Sequence, residues 1–437
     1  LVCIIANYMQ YQVSALAVTL MPQLGIDQAG FSMLMLMPML TAVFLSIPTG
    51  SIADKIGPKK VITVCMLVSI VGAFIRAFVM SFVAQLISMF LIGFFICALN
   101  ANLIKVFAAW FGNRAQVGMG VWFGSADVGV IGAQMLAPQM PSVQFSYLTA
   151  AIALVVITLL WIIFMRDAPK GASAAFTGGG ESPLKYMKVA AKSRNVWLVG
   201  LCYGFSMAAV TAFAGFIPQA LILMCGADAL TAGTVASMAS VGSFVGCIVG
   251  PMICDRLGKW KPYLVITTVI GTLLMCYFWA IVLRSGTIGN LGMLLFMMIL
   301  SGAFGAINGP IVQAMPYALP DSRGKYAGSA GGLVGTIGLL CSYFIPIAVS
   351  AIAHGSYLLN FGIESFVFFA AIFCILAIPE LGPKGKIAQQ IRETEAAAAA
   401  AAAIAAAVGY ESQGKFTRAF KDVTGQLPTE YRREHRG

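Results

Sequence analysis

Apolar runs separated by short polar breaks recur along the chain as far as residue 380. Each run is long enough to cross a bilayer core as a helix, which takes roughly 20 residues. The pattern predicts twelve spans. The first four cover 1–23, 29–53, 61–79 and 83–111, and the next four cover 116–138, 145–165, 195–223 and 229–254. The last four cover 262–283, 290–317, 325–350 and 357–380. The most polar interior stretch, Arg166 to Arg194, holds glycines at 178–180 and falls between the sixth and seventh spans. It reads as a linker between two six-helix halves. The expected organisation is an N-terminal half 1–166, a cytoplasmic linker 167–194, a C-terminal half 195–380 and a cytoplasmic tail 381–437.

Composition agrees with the pattern. The chain is 59% hydrophobic and 10% charged, with a mean hydropathy of +0.89. A soluble globule of that composition would expose large apolar patches, so its solvent is lipid. Basic residues are retained on the cytoplasmic side of short loops, and alternate loops here sort by charge. One side carries Lys55, Lys59, Lys60, Arg114, Arg166, Lys170, Lys185, Lys188, Lys192, Arg194, Arg256, Lys259, Lys261, Arg323 and Lys325, against only Arg76 and Arg284 on the other. Both termini are therefore expected in the cytoplasm, and the protein in a bacterial inner (plasma) membrane. The net charge of +11 is then a topology signal and an attraction to anionic lipid, not a sign of nucleic acid. The ten cysteines are scattered singly, without a CxxC pair or a nearby histidine, and read as small buried hydrophobes. No metal or other cofactor is expected. The sequence lacks a Ser-His-Asp set and a phosphate-cradling glycine loop, so an enzyme is not expected. The chain begins at Leu1 inside an apolar run, which implies that residues precede it.

The two halves echo each other. Gly50-Ser-Ile-Ala-Asp54-Lys55-Ile-Gly57-Pro-Lys59-Lys60 follows the second span, and Gly250-Pro-Met-Ile-Cys-Asp255-Arg256-Leu-Gly258-Lys259 follows the eighth. A second echo sets Arg114, Gly118 and Gly120 at the start of span five against Arg323 and Gly328 at the start of span eleven. Repeated halves are how transporters build a midplane site that either side can reach. The loop pattern, present twice at equivalent places, resembles the signature of the major facilitator superfamily over about 1–380. That resemblance implies an all-α membrane protein of the major facilitator fold. It would have twelve transmembrane helices in two six-helix halves related by pseudo-two-fold symmetry, and would work, usually as a monomer, as a secondary active transporter by alternating access. It also implies a gating network at the cytoplasmic side, here Asp54, Lys55, Gly57, Arg114, Asp255, Arg256, Gly258 and Arg323. The simpler alternative for the aspartates is a solvated helix cap.

Small residues recur every three or four positions in span five (Gly118, Gly120, Gly124, Gly129, Gly132) and in span eleven (Gly328, Gly331, Gly332, Gly335, Gly338). Such spacing lets backbones approach closely, whether for packing or for a site. With Ile47-Pro48-Thr49-Gly50 in span two and Gly302, Gly305, Asn308 and Gly309 in span ten, these segments look like the nitrate/nitrite porter branch. That branch grips its anion with an arginine in each half, where this chain has Ser46 and Gly250. Losing two guanidiniums removes the main charge-assisted bonds to a small hydrated anion, which argues against nitrate itself.

A charge inside the membrane costs on the order of ~3 kcal/mol by insertion scales, so the few present matter. Lys105 in span four and Asp127 in span five are close enough in topology to meet. Together they suggest a cation for an anionic substrate and a carboxylate that binds a coupling proton; as a structural pair they would simply neutralise each other. Proton symport and exchange of two anions both fit. Spans one, four, seven and ten line the cavity in the superfamily, which makes Tyr11, Asn102, Tyr203 and Asn308 the other substrate-binding candidates. Arg76 and Glu364 lie near span ends and are expected to snorkel or pair. The substrate expected is a small inorganic or organic anion, and membrane lipid is the other partner.

After Gly382 the composition changes to a charged segment, an alanine run at 396–403, and Ile404-Ala-Ala-Ala-Val408-Gly409-Tyr410-Glu-Ser412. With Phe416-Thr-Arg418-Ala-Phe420-Lys421 and Pro428-Thr-Glu-Tyr431-Arg432-Arg433, residues 404–433 resemble the last helix-turn-helix of AraC-type regulators. Such a regulator needs two of these units. The rival function is a membrane-tethered sensor with a DNA-binding tail, and the few basic residues left to engage phosphates make nucleic acid an unexpected partner.

Overall fold

The computed structural model describes residues 1–111, 115–167, 190–319 and 327–386, with scattered positions of the tail; the side chains of some residues inside helices, Asp54 and Lys105 among them, lie outside that description. The chain divides into two units, Leu1–Pro379 and Glu380–Gly437. Among the described residues the first unit is helical, without strands.

In the N-terminal half, α1 (Val2–Ala15) and α2 (Ala17–Leu24) form one rod, kinked at Leu16. It is followed by α3 (Gln28–Ile56), α4 (Pro58–Phe78), α5 (Phe82–Phe111), α6 (Ala115–Leu136) and α7 (Val143–Phe164). The C-terminal half holds α8 (Arg194–Cys225), α9 (Ala229–Leu257), α10 (Trp260–Tyr277), which runs on as a π-helical turn Phe278–Leu283, α11 (Leu291–Ala306), α12 (Asn308–Ala318), α13 (Ala327–Ala353) and α14 (Tyr357–Ala377). Among the described residues, ten of the rods are long and apolar enough to cross a membrane, by length and composition. With α1–α2 and α6 they make the twelve that the apolar pattern predicts. The tenth rod breaks between α11 and α12 for a local reason. Pro310 has no N–H to give to Ala306 O, which accepts a weak bond from Cys247 Sγ at 3.7 Å instead.

The loops at one end are nearly free of basic residues, and we call it the neutral end; the other is the basic end. The six helices that start at the neutral end are each capped by a side chain in the preceding turn. Asp27 accepts from Gly30 N–H at 2.8 Å, Ser81 from Ala84 N–H at 3.3 Å and Ser142 from Phe145 N–H at 3.1 Å. In the other half Asp228 accepts from Thr231 N–H at 3.0 Å, Asn290 from Met293 N–H at 3.1 Å and Ser356 from Leu359 N–H at 3.3 Å. Each cap satisfies a first-turn donor at the point where the chain turns back on itself. The Thr231 hydroxyl and the backbone N–H groups hold the Asp228 carboxyl below its ordinary range.

The halves share one packing plan. In the first, α3 and α4 lie on α5, α1 lies on α6, and α4 lies on α7. In the second, α9 and α10 lie on α11, α8 lies on α13, and α10 lies on α14. The halves meet where α3 packs on α13, α6 on α9, and α1 on α8. One polar detail is repeated as well. Lys59 Nζ at the start of α4 donates to Ile162 O near the end of α7 at 2.8 Å, and Lys261 Nζ at the start of α10 donates to Leu376 O near the end of α14.

The tightest helix approach is not where the glycine spacing of spans five and eleven suggests. A Cβ on Gly242 of α9 would strike Ile299 O of α11, and one on Gly302 would strike Ala239 O, so these two backbones touch at glycine from both sides. In α13 a Cβ at Gly332 or Gly335 would meet nothing within 4 Å. In the span-five stripe Gly124 lies against Phe244, Gly129 against Ile4 O and Gly132 against Tyr8.

Candidate functional site

Between the halves lies a cavity of about 240 Å³. Asn7 and Tyr11 line it from α1, Asp127 from α6, Tyr203 from α8, Ser243 from α9 and Gln313 from α12. Asp127 is the one charged side chain among the described residues lining it, and Ser243 of the opposite half lines the same cavity. Across the cavity Gln313 Nε2 donates to the Tyr203 hydroxyl. The Tyr203 ring lies against Gly338 of α13, where a side chain would displace it. Amide and hydroxyl groups on apolar walls, with one carboxyl group, make a site for a small solute that is held by directed hydrogen bonds.

The sequence-derived candidates divide on this geometry. Tyr11, Tyr203 and Asp127 line the cavity. Asn308 is fully buried beside it, donating to Thr268 Oγ1 at 2.9 Å and Ser206 Oγ at 3.3 Å, so it joins α12 to α10 and α8 rather than facing the cavity. Asn102 is fully buried and donates to Ala98 O of its own helix at 3.0 Å. The Lys105 and Asp54 side chains, and Arg114 and Arg323 altogether, lie outside the described residues.

At the basic end the loop motif shows a partner that the sequence did not suggest. Gly57 has φ +92°, and Asp167, just past α7, fills the space where its Cβ would stand, with Oδ2 at 2.7 Å. The same carboxylate accepts from Lys59 N–H at 2.6 Å through Oδ1. Gly258, the counterpart, has φ +71°, a left-handed turn that favours glycine. Lys55, Asp255 and Arg256 are exposed.

The two ionisable groups expected to snorkel or pair are buried, so neither snorkels. Arg76 is 0% exposed. Its Nη1 donates to Met9 O at 2.9 Å and its Nη2 to Gln12 Oε1 at 2.7 Å, and the guanidinium carbon stands 4.4 Å from the centre of the Tyr147 ring. The equivalent place in the second half holds Phe213, Phe278 and Phe361, whose ring centres are 5.3–5.4 Å apart. A polar centre in one half thus replaces an aromatic one in the other. Glu364 is 1% exposed, and neither carboxylate oxygen has a hydrogen-bond partner.

Among the described residues, the hydrogen bonds that join the halves gather between the middle of the bundle and the neutral end. Ser32 Oγ and Ser350 Oγ are 2.9 Å apart, Ser14 Oγ donates to Gly215 O at 2.6 Å, and Gln28 Nε2 reaches Gly355 O at 3.4 Å. Phe31 packs on Phe216 with ring centres 5.6 Å apart. The neutral end is therefore shut over the cavity in this structure.

Two pseudo-symmetric six-helix halves around a central cavity define a polytopic helical transporter. The profile of the Major Facilitator Superfamily matches residues 1–346, and the chain belongs to that family. A helix-turn-helix domain profile matches residues 386–434, a longer stretch of the tail than the motif alone marks out. Among curated proteins, the chain is 22% identical over 371 residues to the high affinity nitrate transporter 2.7 of Arabidopsis thaliana, covering 76% of this chain and 73% of that protein. It is 22% identical over 387 residues to the probable nitrate transporter NarT of Staphylococcus epidermidis, covering 86% of this chain and 92% of that one. A bacterial homolog of the human lysosomal transporter Spinster, solved in an inward-facing and unoccupied conformation, is similar in fold. Its TM-score is 0.62 at 12% identity, over 86% of this chain and 93% of that one.

Proposed function

We propose that the protein carries a small anion together with a proton across a bacterial inner membrane by alternating access, with its basic end in the cytoplasm. The observation that carries this reading is Asp127, the charged group among the described residues lining a cavity otherwise built of neutral donors. Ionised, Asp127 repels an anion. Protonated, it becomes an O–H donor beside Tyr11 and the Asn7 and Gln313 amides, so anion and proton enter the site together. Lys105 in α5 would add the attracting charge, and the nitrate transporters among the relatives support an anionic substrate. Motion of one half against the other would open the neutral end by parting α3 from α13 and α6 from α9. The twin basic-end loops, with Asp54, Arg114, Asp255, Arg256 and Arg323, would close the opposite side in turn.

The test is uptake of small inorganic and organic anions into proteoliposomes under an imposed proton gradient. Wild type is expected to accumulate one of them only with inward-directed protons. Asp127→Asn, a permanent neutral donor, is expected to bind that anion with no pH dependence and to lose accumulation. Stabilisation of the protein by organic cations that compete with protons, and not by anions, would overturn the substrate class, because an ionised Asp127 would then be the cation's partner.

A second reading rests on the helix-turn-helix match at 386–434: a membrane sensor whose tail binds DNA. Deleting residues 380–437 separates the two. The transporter reading expects unchanged uptake, whereas the sensor reading expects loss of sequence-specific DNA binding by the reconstituted protein.

A further inference from the structure

The hydrogen-bond chain that closes the neutral end has a beginning and an end. Ser32 Oγ donates its single hydrogen to Gln28 O at 3.0 Å, so at the 2.9 Å contact Ser350 must donate to Ser32. Ser350 Oγ in turn accepts from Asn360 Nδ2 at 3.1 Å. Asn360 is fully buried, and its Oδ1 has no partner. One turn further along α14, on the same face, stands Glu364, 1% exposed with both oxygens unpartnered. An ionised carboxylate there offers Asn360 Oδ1 only another acceptor, whereas the neutral acid has the one O–H that Asn360 Oδ1 lacks.

Among the described residues the surroundings offer no compensating cation. The helices packed on α14 are α8, α10 with its π-helical turn, and α13. Their charged residues are Arg194 and Lys261, each at the basic end of its helix, whereas Glu364 lies two turns from the neutral end of α14. Arg284 follows the π-helical turn and is exposed. The other titratable groups on these helices are Cys202, Tyr203 and Cys225 on α8, Tyr263, Cys276 and Tyr277 on α10, and Cys341 and Tyr343 on α13. Each of these is neutral when protonated. On α14 itself they are Tyr357, whose hydroxyl bonds Gln219 Oε1 at 3.1 Å, and Cys374.

We propose that Glu364 is a proton-binding site tied to closure of the neutral end, distinct from Asp127. With the end shut, the proton on Glu364 completes the chain Glu364–Asn360–Ser350–Ser32 from one half to the other. When α3 leaves α13, water reaches the carboxyl, which releases its proton to that water as a hydronium ion. Reclosure requires a proton to be taken up again. The inference rests on alternating access and deepens the coupling of the proposed transport. It does not depend on the identity of the substrate.

A substrate-free assay on the full chain in liposomes tests it. Met35 packs under Gly215 of the other half, so a Met35→Cys reporter is hidden from a membrane-impermeant maleimide while the neutral end is shut. Its labelling, relative to the parent chain, is expected to rise at least about tenfold as the pH on that side is raised. In Glu364→Gln, which keeps a donor that never titrates, labelling is expected to stay low at every pH, and in Asp127→Asn the rise is expected to persist. Labelling that ignores pH, or that rises equally in Glu364→Gln, would overturn the proposal. Infrared spectroscopy supplies a measurement that does not need the Gln variant to fold. The Asp127→Asn protein at neutral pH is expected to retain a protonated-carboxyl carbonyl band, and its absence would show that Glu364 is ionised and end the argument.

Discussion

Arg76 Nη2 donates to Gln12 Oε1 at 2.7 Å, while Gln12 Nε2 donates to the backbone oxygen and the hydroxyl of Ser146, at 2.7 and 2.6 Å. One buried amide therefore ties α1 to α4 and to α7, and its orientation is fixed by a donor on one side and acceptors on the other. Lysine cannot reproduce the arrangement, because a single ammonium cannot serve Met9 O and Gln12 Oε1 while stacking on Tyr147. Arg76→Lys and Arg76→Met are each expected to destabilise the protein by about 2–4 kcal/mol, since both leave buried acceptors unpaired. Thermal unfolding in detergent checks the size. Uptake per folded molecule is expected to survive, because Arg76 does not line the cavity; loss of uptake without loss of stability would give it a direct role.

The close approach of Gly242 to Ile299 O and of Gly302 to Ala239 O makes a prediction of opposite sign to the one at Gly332. Gly302→Val places a side chain on the Ala239 carbonyl, and rigid backbones cannot yield. It is expected to cost more than about 3 kcal/mol or to abolish folded protein altogether. Gly332→Ala meets nothing within 4 Å and replaces a flexible residue inside a helix. It is expected to stabilise by up to about 1 kcal/mol. Size-exclusion profiles and unfolding midpoints of the two variants, side by side, decide whether glycine in this bundle serves contact or something else.

The layout of twelve rods in two halves was legible because lipid leaves a long apolar run few options, and because the basic loops and the Gly50–Lys60 and Gly250–Lys259 motifs repeat. The caps at Asp27, Ser81, Ser142, Asp228, Asn290 and Ser356 were legible too, since each precedes an apolar run, although the apolar pattern alone did not use them. The site was harder. Asp127 stands out as a charge inside the membrane, and Tyr11 and Tyr203 as polar groups on spans one and seven, but the argument that selected the tyrosines also selected Asn102 and Asn308, which turn to their own helix or a neighbouring one. Polarity says that a side chain avoids lipid, not which interior surface it meets. Arg76 and Glu364 were misread because sequence position near a span end permits snorkelling, and only tertiary packing shows both ends closed off. Asp167 could not be found from its position in the chain, since its partner Gly57 belongs to a different loop.

Crossing from α3 to α13, the pair Ser32 and Ser350 offers a direct check on alternating access. Their Oγ atoms are 2.9 Å apart, within the range that side chains of paired cysteines can bridge. Oxidising the Ser32→Cys/Ser350→Cys protein is expected to arrest uptake by holding the neutral end shut, and reducing it is expected to restore uptake. The parent chain, whose cysteines are all free, serves as the control. Full uptake with the bridge formed would mean that the solute does not pass between these helices.

The last prediction concerns Gly57 and Asp167, whose strain and contact can be separated. Alanine at Gly57 incurs a backbone cost from φ +92° and a steric cost from Asp167 Oδ2, 2.7 Å from where the new Cβ would stand. Together these are expected to destabilise by about 2–3 kcal/mol. Asp167→Ala removes the carboxylate and with it the bond from Lys59 N–H, an exposed-end contact worth about 1 kcal/mol. In the double variant the backbone cost remains but the steric one is gone, so the two changes are expected to sum to about 1 kcal/mol less than their separate effects. Unfolding midpoints of the four proteins give that coupling directly. Simple additivity would show that Asp167 yields freely to the new side chain, and that the loop motif of the first half is held by Lys59 and Ile162 instead.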